Sequence, residues 1–139
     1  MPDCLPAIEV ALTVSFHDCD PMGVVWHGNY FRFFEVAREA LLRSIHYSYS
    51  EMTASGYIWP VVDAHVKYRQ PLRCEETVFV SAAISEYENR LRIDYQIRNA
   101  AGKITTKAHT VQVAVEQETE ALCFVSPDIL LERLGVKGC

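Results

Sequence analysis

The chain has 139 residues, half of them hydrophobic, and a formal charge of −5. That length and apolar share suffice for one core without metal or disulfide support, and interspersed charges with no long Lys/Arg run exclude a surface built to track nucleic-acid phosphates. The segment Met1-Pro2-Asp3-Cys4-Leu5-Pro6 lacks the basic and apolar regions of a signal peptide, and no apolar run approaches the ~18 residues of a bilayer span. A cytoplasmic protein with no membrane span is therefore expected.

Cys4, Cys19, Cys74, Cys123 and Cys139 are odd in number and contain no CxxC pair. They are expected as reduced thiols, forming neither a disulfide framework nor a structural zinc site.

From Ile8 to Phe16 apolar and small or polar residues alternate, the period of a strand with one buried face. Asp18, Asp20, Pro21 and Gly23 then impose a loop. After Gly28-Asn29, the positions Tyr30, Phe33, Phe34, Ala37, Leu41 and Ile45 recur at three- and four-residue spacing, predicting one long amphipathic helix whose start lies within a few residues of Tyr30. A short helix is expected between Ser48 or Ser50 and Gly56.

Strands are expected over Trp59–Tyr68, Val78–Tyr87, Arg90–Arg98 and Lys103–Glu116, with tight connections at Glu88-Asn89 and at Asn99-Ala100-Ala101-Gly102, so that the last three form an antiparallel meander. Ser126-Pro127-Asp128 and Gly135 bracket a terminal helix, with Ser126 as its side-chain cap. Residues 1–139 thus read as one α+β domain in which a dominant helix covers a mostly antiparallel sheet. Apolar strands with open edges favour a homodimer.

Asp18-Cys19-Asp20-Pro21-Met22-Gly23-Val24-Val25-Trp26-His27-Gly28-Asn29-Tyr30 resembles the active-site segment of the 4-hydroxybenzoyl-CoA thioesterase and acyl-CoA thioesterase family. It stands where that family has it, after strand one and before the long helix. Val66-Lys67-Tyr68-Arg69-Gln70-Pro71-Leu72 is similar to the family's strand-ending stretch. The resemblance implies a hot-dog fold, an antiparallel sheet wrapped around a central helix, assembled as a homodimer or homotetramer with its site shared between subunits.

It further implies Asp20 as the catalytic carboxylate, the His27 N–H as the donor polarising the thioester carbonyl, and Gly23, Val25, Trp26 and Tyr30 as substrate contacts. The substrate would be an acyl-CoA or acyl-carrier-protein thioester, coenzyme A belonging to the substrate, with no separate cofactor and no metal. A histidine at position 27 is found in acyl-CoA members, whereas Asp-Pro-x-Gly-x-Val-Trp resembles the aryl-CoA enzyme, so both acyl classes stay open.

The chemistry itself asks for these groups. Thioester hydrolysis needs an attacking water or carboxylate and donors for the developing oxyanion, and a loop carboxylate facing a helix start supplies both. Asp20 could act as general base or attack directly. Asp18 reads as a turn or capping acid, and Cys19 as a small turn-filling side chain.

The His27 imidazole serves either as a hydrogen-bonded packing group or catalytically, orienting substrate or water or assisting proton transfer. Phe33 and Phe34 fit the core better than an acyl pocket, and Lys67, Arg69 and Arg73 are candidate contacts for coenzyme A phosphates. His17, Asp18, Asp20 and His27 match no standard zinc spacing. His46, His65 and His109 form no constellation, the spacing of Asp63 and His65 being explained by an ordinary interstrand hydrogen bond. The competing functions are a hot-dog hydroxyacyl-thioester dehydratase and a non-catalytic acyl-thioester-binding or assembly subunit.

Overall fold

A computed structural model describes residues 5–135. Strands β1 (Ala7–Thr13), β3 (Val61–Tyr68), β4 (Thr77–Glu86), β5 (Leu91–Arg98) and β6 (Ile104–Gln112) form a five-stranded sheet in the order β1-β4-β5-β6-β3, and every neighbouring pair is antiparallel. Helix α1 (Tyr30–Ser44) lies on one face of it, followed by the short helix α2 (Tyr49–Ala54). A two-stranded ribbon pairs β2 (Tyr57–Ile58) with β7 (Val115–Glu116), and helix α3 (Asp128–Leu134) closes the described chain.

The core sits between α1 and the sheet because the two periods meet there. Tyr30, Phe33, Phe34, Ala37, Leu41 and Leu42 come from the helix, and Val78, Val80, Ala82, Leu91, Ile93, Tyr95 and Ile97 from alternate positions of β4 and β5. At roughly 1.5–3 kcal/mol for each large apolar side chain buried, this face outweighs intrinsic helix propensity in holding α1. Thr110 and Gln112 carry polar groups into the same face. The Tyr95 and Thr110 hydroxyls pair at 2.8 Å, and the Gln112 amide donates to the Trp59 carbonyl at 2.7 Å.

Strand one ends earlier than its alternation predicts. The Ser15 N–H is taken by the Asp18 carboxylate at 3.0 Å, and residues Phe16–Asp18 turn into a 3-10 helix that leaves Phe16 exposed. The strand expected from Trp59 begins only at Val61, after Pro60, which has no N–H to offer a ladder, and the short β2 lies just before the expected range. The expected Lys103–Glu116 strand divides into β6 and β7. Ser126 does not cap α3: its hydroxyl is buried without a hydrogen bond, and extended Pro127 precedes the first helical residue. Gly135 ends that helix in the left-handed conformation at φ 67°.

The cysteine expectation also requires correction. Cys19 and Cys74 are joined as a disulfide, their Cα atoms 6.1 Å apart, while Cys123 is free. They meet because bridges Cys19↔Val25 and Val24↔Arg73 fold the loop after β1 against the stretch after β3, a proximity that spacing along the chain does not reveal. Cys4 and Cys139 lie outside the described residues.

The cross-link spans 55 residues of sequence, and loop-closure entropy at that length is worth about 4 kcal/mol. Reduction is expected to lower the unfolding free energy by up to that amount in denaturant titrations with and without dithiothreitol, and to release the peptides of Cys19 and Cys74 from their mutual link in mass spectra.

Candidate functional site

The segment between β1 and α1 is organised by Asp18 and Asp20 in different ways. Asp18 is buried. Its carboxylate accepts the Ser15 N–H and pairs with the half-exposed Arg32 guanidinium. Its carbonyl accepts the Trp26 N–H at 3.1 Å and the Asn29 side-chain amide at 2.9 Å. Asp18 therefore staples the loop to the start of the helix.

Asp20 opens a tight turn. Its carbonyl accepts the Gly23 N–H at 3.0 Å, and its Oδ1 accepts the Met22 N–H at 2.9 Å and the Val24 N–H at 3.5 Å. Gly23 takes φ 81°, where a side chain would be strained. The other carboxylate oxygen of Asp20, Oδ2, makes no hydrogen bond among the described residues, so the turn orients the group without consuming it.

Residues His27–Asn29 form a 3-10 turn leading directly into α1. The Trp26 carbonyl accepts the Asn29 N–H at 2.9 Å, which aims the His27 N–H of the same peptide plane in the opposite direction. Neither the His27 nor the Gly28 N–H is paired among the described residues, as expected of the first donors of a helix. The Trp26 indole lies over Gly28 so closely that a Cβ there would fall 2.2 Å from the ring.

Asp20, Val25, Trp26, His27 and Tyr30 line one cavity of about 360 Å³ together with Val24, Tyr68, Arg69, Gln70 and Pro71. Five of the six expected site residues are thus brought together; Gly23 shapes the loop but does not line the cavity. Of the three basic candidates Arg69 alone lines it. Lys67 projects into a groove on the far face of the sheet with Lys107, His65 and His109. There His65 stacks on His109 at 5.5 Å and Asp63 lies 4.0 Å from His109. Phe33 and Phe34 belong to the core.

Tyr68 was not singled out by its residue type. Its phenol donates to the His27 carbonyl at 2.9 Å, and its ring meets Tyr30 edge-on at 4.8 Å. The only sequence signal for it is its place in the strand-ending stretch Val66–Leu72. Burial raises the Tyr68 and Tyr30 pKa values above the ordinary phenol value, so both remain protonated donors at neutral pH. Among the described residues no group of three or more His, Cys, Asp or Glu side chains is placed to hold a metal ion, and no helix is long and apolar enough to cross a membrane.

A family model described as the thioesterase-like superfamily matches residues 14–133. A Bacillus subtilis protein named "Putative acyl-CoA thioesterase YneP" is 35% identical over 109 residues, covering 78% of this chain and 79% of that protein. The acyl-CoA thioester hydrolase YbgC of Escherichia coli is 29% identical, covering 74% and 78%. The crystal structure of the DHNA-CoA thioesterase from Staphylococcus aureus superposes with a TM-score of 0.78 at 29% identity, covering 85% of this chain and 80% of that one. The sheet and long helix described above are accordingly those of the hot-dog fold.

Removing the Asp18 carboxylate leaves the Ser15 N–H without its acceptor and the Arg32 guanidinium without its partner. Asp18→Ala is expected to cost about 1–3 kcal/mol in urea unfolding. Arg32→Met should cost less than about 1 kcal/mol, because that side chain is 56% exposed and screened by water.

Proposed function

The chain belongs to the thioesterase-like superfamily, and we propose that it hydrolyses acyl-CoA thioesters with Asp20 as the working carboxylate and the His27 N–H as donor to the developing oxyanion. One observation carries this reading: a loop carboxylate with an unengaged oxygen and a helix-start residue with an unpaired N–H share the walls of one cavity. The names of the relatives supply the reaction class, R–CO–S–CoA plus water giving the acid and free coenzyme A.

In the proposed reaction Asp20 takes a proton from the attacking water, or attacks the carbonyl carbon itself to give a mixed anhydride that water then opens. Charge developing on the carbonyl oxygen falls toward the His27 N–H and the positive end of the α1 dipole. Trp26, Tyr30 and Tyr68 bound the acyl group, with Val25 beneath, and suit an aromatic or an aliphatic chain. The His27 imidazole, tilted against Trp26 at 5.0 Å, orients the substrate. The chemistry calls on no metal or redox group, and coenzyme A enters as part of the substrate. An acyl-carrier-protein thioester presents the same reacting atoms.

A dimer or tetramer belongs to the same proposal. Strand β3 is a sheet edge bearing exposed Val61 and Val62, which a second copy would cover. A cytoplasmic location is also part of it; the Cys19–Cys74 bond is the observation that stands against this, since disulfides persist chiefly in oxidising compartments.

Thiol release over a panel of short, long, aromatic and hydroxylated acyl-CoA thioesters tests the reaction. Turnover of at least one member is expected, with Asp20→Asn folded but reduced at least about 100-fold in kcat. Near-normal turnover in Asp20→Asn would sink the mechanism. Arg69→Gln is expected to raise KM for coenzyme A substrates about 10-fold while leaving kcat near wild type, the signature of a lost charge-assisted contact to a remote phosphate.

A further inference from the structure

The 3-10 turn that carries the His27 donor is only three residues long, and such turns have poor hydrogen-bond geometry and little stability of their own. A donor that is to meet an oxyanion must nevertheless be held in one direction before the charge appears, because its value lies in needing no reorganisation. The peptide groups on both sides of residue 27 are accordingly held. On the N-terminal side the Trp26 carbonyl accepts the Asn29 N–H, a bond internal to the turn. On the C-terminal side the His27 carbonyl accepts two donors, the Tyr30 N–H and the Tyr68 phenol.

The phenol is the one that comes from outside the helix, 41 residues away in sequence and from the last position of β3. Tyr68 pairs with Thr106 of β6, so its backbone belongs to the sheet. Its ring is fixed edge-on between Tyr30 and His27. Tyr68 is only partly covered, the residue being 44% exposed, so packing in the core is not what brings its hydroxyl to the carbonyl.

We propose that Tyr68 is a positioning residue for thioester hydrolysis: by donating to the His27 carbonyl it ties the first turn of the helix to the sheet, holding the His27–Gly28 peptide directly and, through the backbone of His27, limiting rotation of the adjoining Trp26–His27 peptide that carries the donor N–H. This rests on the function proposed above. Tyr68 transfers no proton and touches no reacting atom in this role. Loss of the hydroxyl leaves the His27 carbonyl with the Tyr30 N–H alone, so the turn stays stapled to the loop through the Asp18 carbonyl but loses this bond to the sheet. The donor then samples directions away from the oxyanion and the loss falls on the transition state.

Tyr68→Phe keeps the ring and removes the hydroxyl; Tyr68→Leu removes both. For Tyr68→Phe kcat is expected to fall about 10-fold with KM within about 2-fold of wild type, because the donor is misdirected while the walls of the cavity stay in place. The amide ¹H–¹⁵N resonance of Gly28, whose nitrogen is bonded to the His27 carbonyl carbon, should shift in Tyr68→Phe, while the melting temperature stays close to wild type. Unchanged kcat in Tyr68→Phe would overturn the proposal. So would a loss seen in Tyr68→Leu alone, which assigns the role to ring packing, or an unmoved Gly28 resonance. A wild-type protein that hydrolyses no acyl-CoA would overturn the proposed function instead, and the Gly28 resonance would still report whether the bond forms.

Discussion

The site depends on how the start of α1 is joined to the loop before it, and that joint is the carbonyl of Asp18. It accepts the Trp26 N–H and the Asn29 side-chain amide, one on each side of the His27 amide. A helix start leaves its first N–H groups without partners, and a chain with nothing else at stake caps them. Here the caps are spent on Trp26 and Asn29, and the His27 and Gly28 groups between them are left open. Burying the Asp18 carboxylate to make this joint is costly unless it is bonded, and the Ser15 N–H and Arg32 meet that cost.

The sheet supplies the opposite wall. The inner face of β4 and β5 is wholly apolar at its buried positions save for the Tyr95 hydroxyl, whereas β6, next to the edge strand, turns Thr106, Thr110 and Gln112 inward. The Thr110 hydroxyl is matched by Tyr95, the Gln112 side-chain N–H by the Trp59 carbonyl and the Thr106 hydroxyl by Thr105, leaving the Gln112 Oε1 as the one of these groups buried without a partner, while β3 runs on to deliver Tyr68, Arg69, Gln70 and Pro71 beside the helix start. The Val25 N–H donates to the Leu72 carbonyl at 2.8 Å and so closes the two walls on each other.

Elements governed by local periodicity were legible in the residues: α1, the β4-β5-β6 meander and the place of Asp20 in the loop before the helix. What escaped depended on distant partners. The alternation of β1 continues through Phe16, yet Asp18 reaches back to the Ser15 N–H and ends the strand. Cys19 and Cys74 are invisible as a pair because loop-to-loop bridges set their proximity. Tyr68 reads as one more strand aromatic, since nothing in its neighbours announces a carbonyl 41 residues away. Lys67 and Arg69 look equivalent in sequence, but the two-residue period of β3 puts Lys67 on the far face, while the chain leaving the strand carries Arg69 into the cavity.

Arg32 breaks a local rule in a way that bears on the chemistry. A cation in the first turn of a helix opposes the macrodipole and costs about 0.3–1 kcal/mol. The opposing charge of Asp18 lies directly against it, so the pair adds little net charge at the helix start and the field there comes chiefly from the aligned peptide groups. An unpaired Arg32 would instead offer a mobile, strongly solvated cation to any anion entering the loop. Pairing it with the residue that also staples Trp26 and Asn29 leaves the fixed N–H groups as the nearest source of positive potential, and a fixed source is worth more to a developing oxyanion than one that must first reorganise.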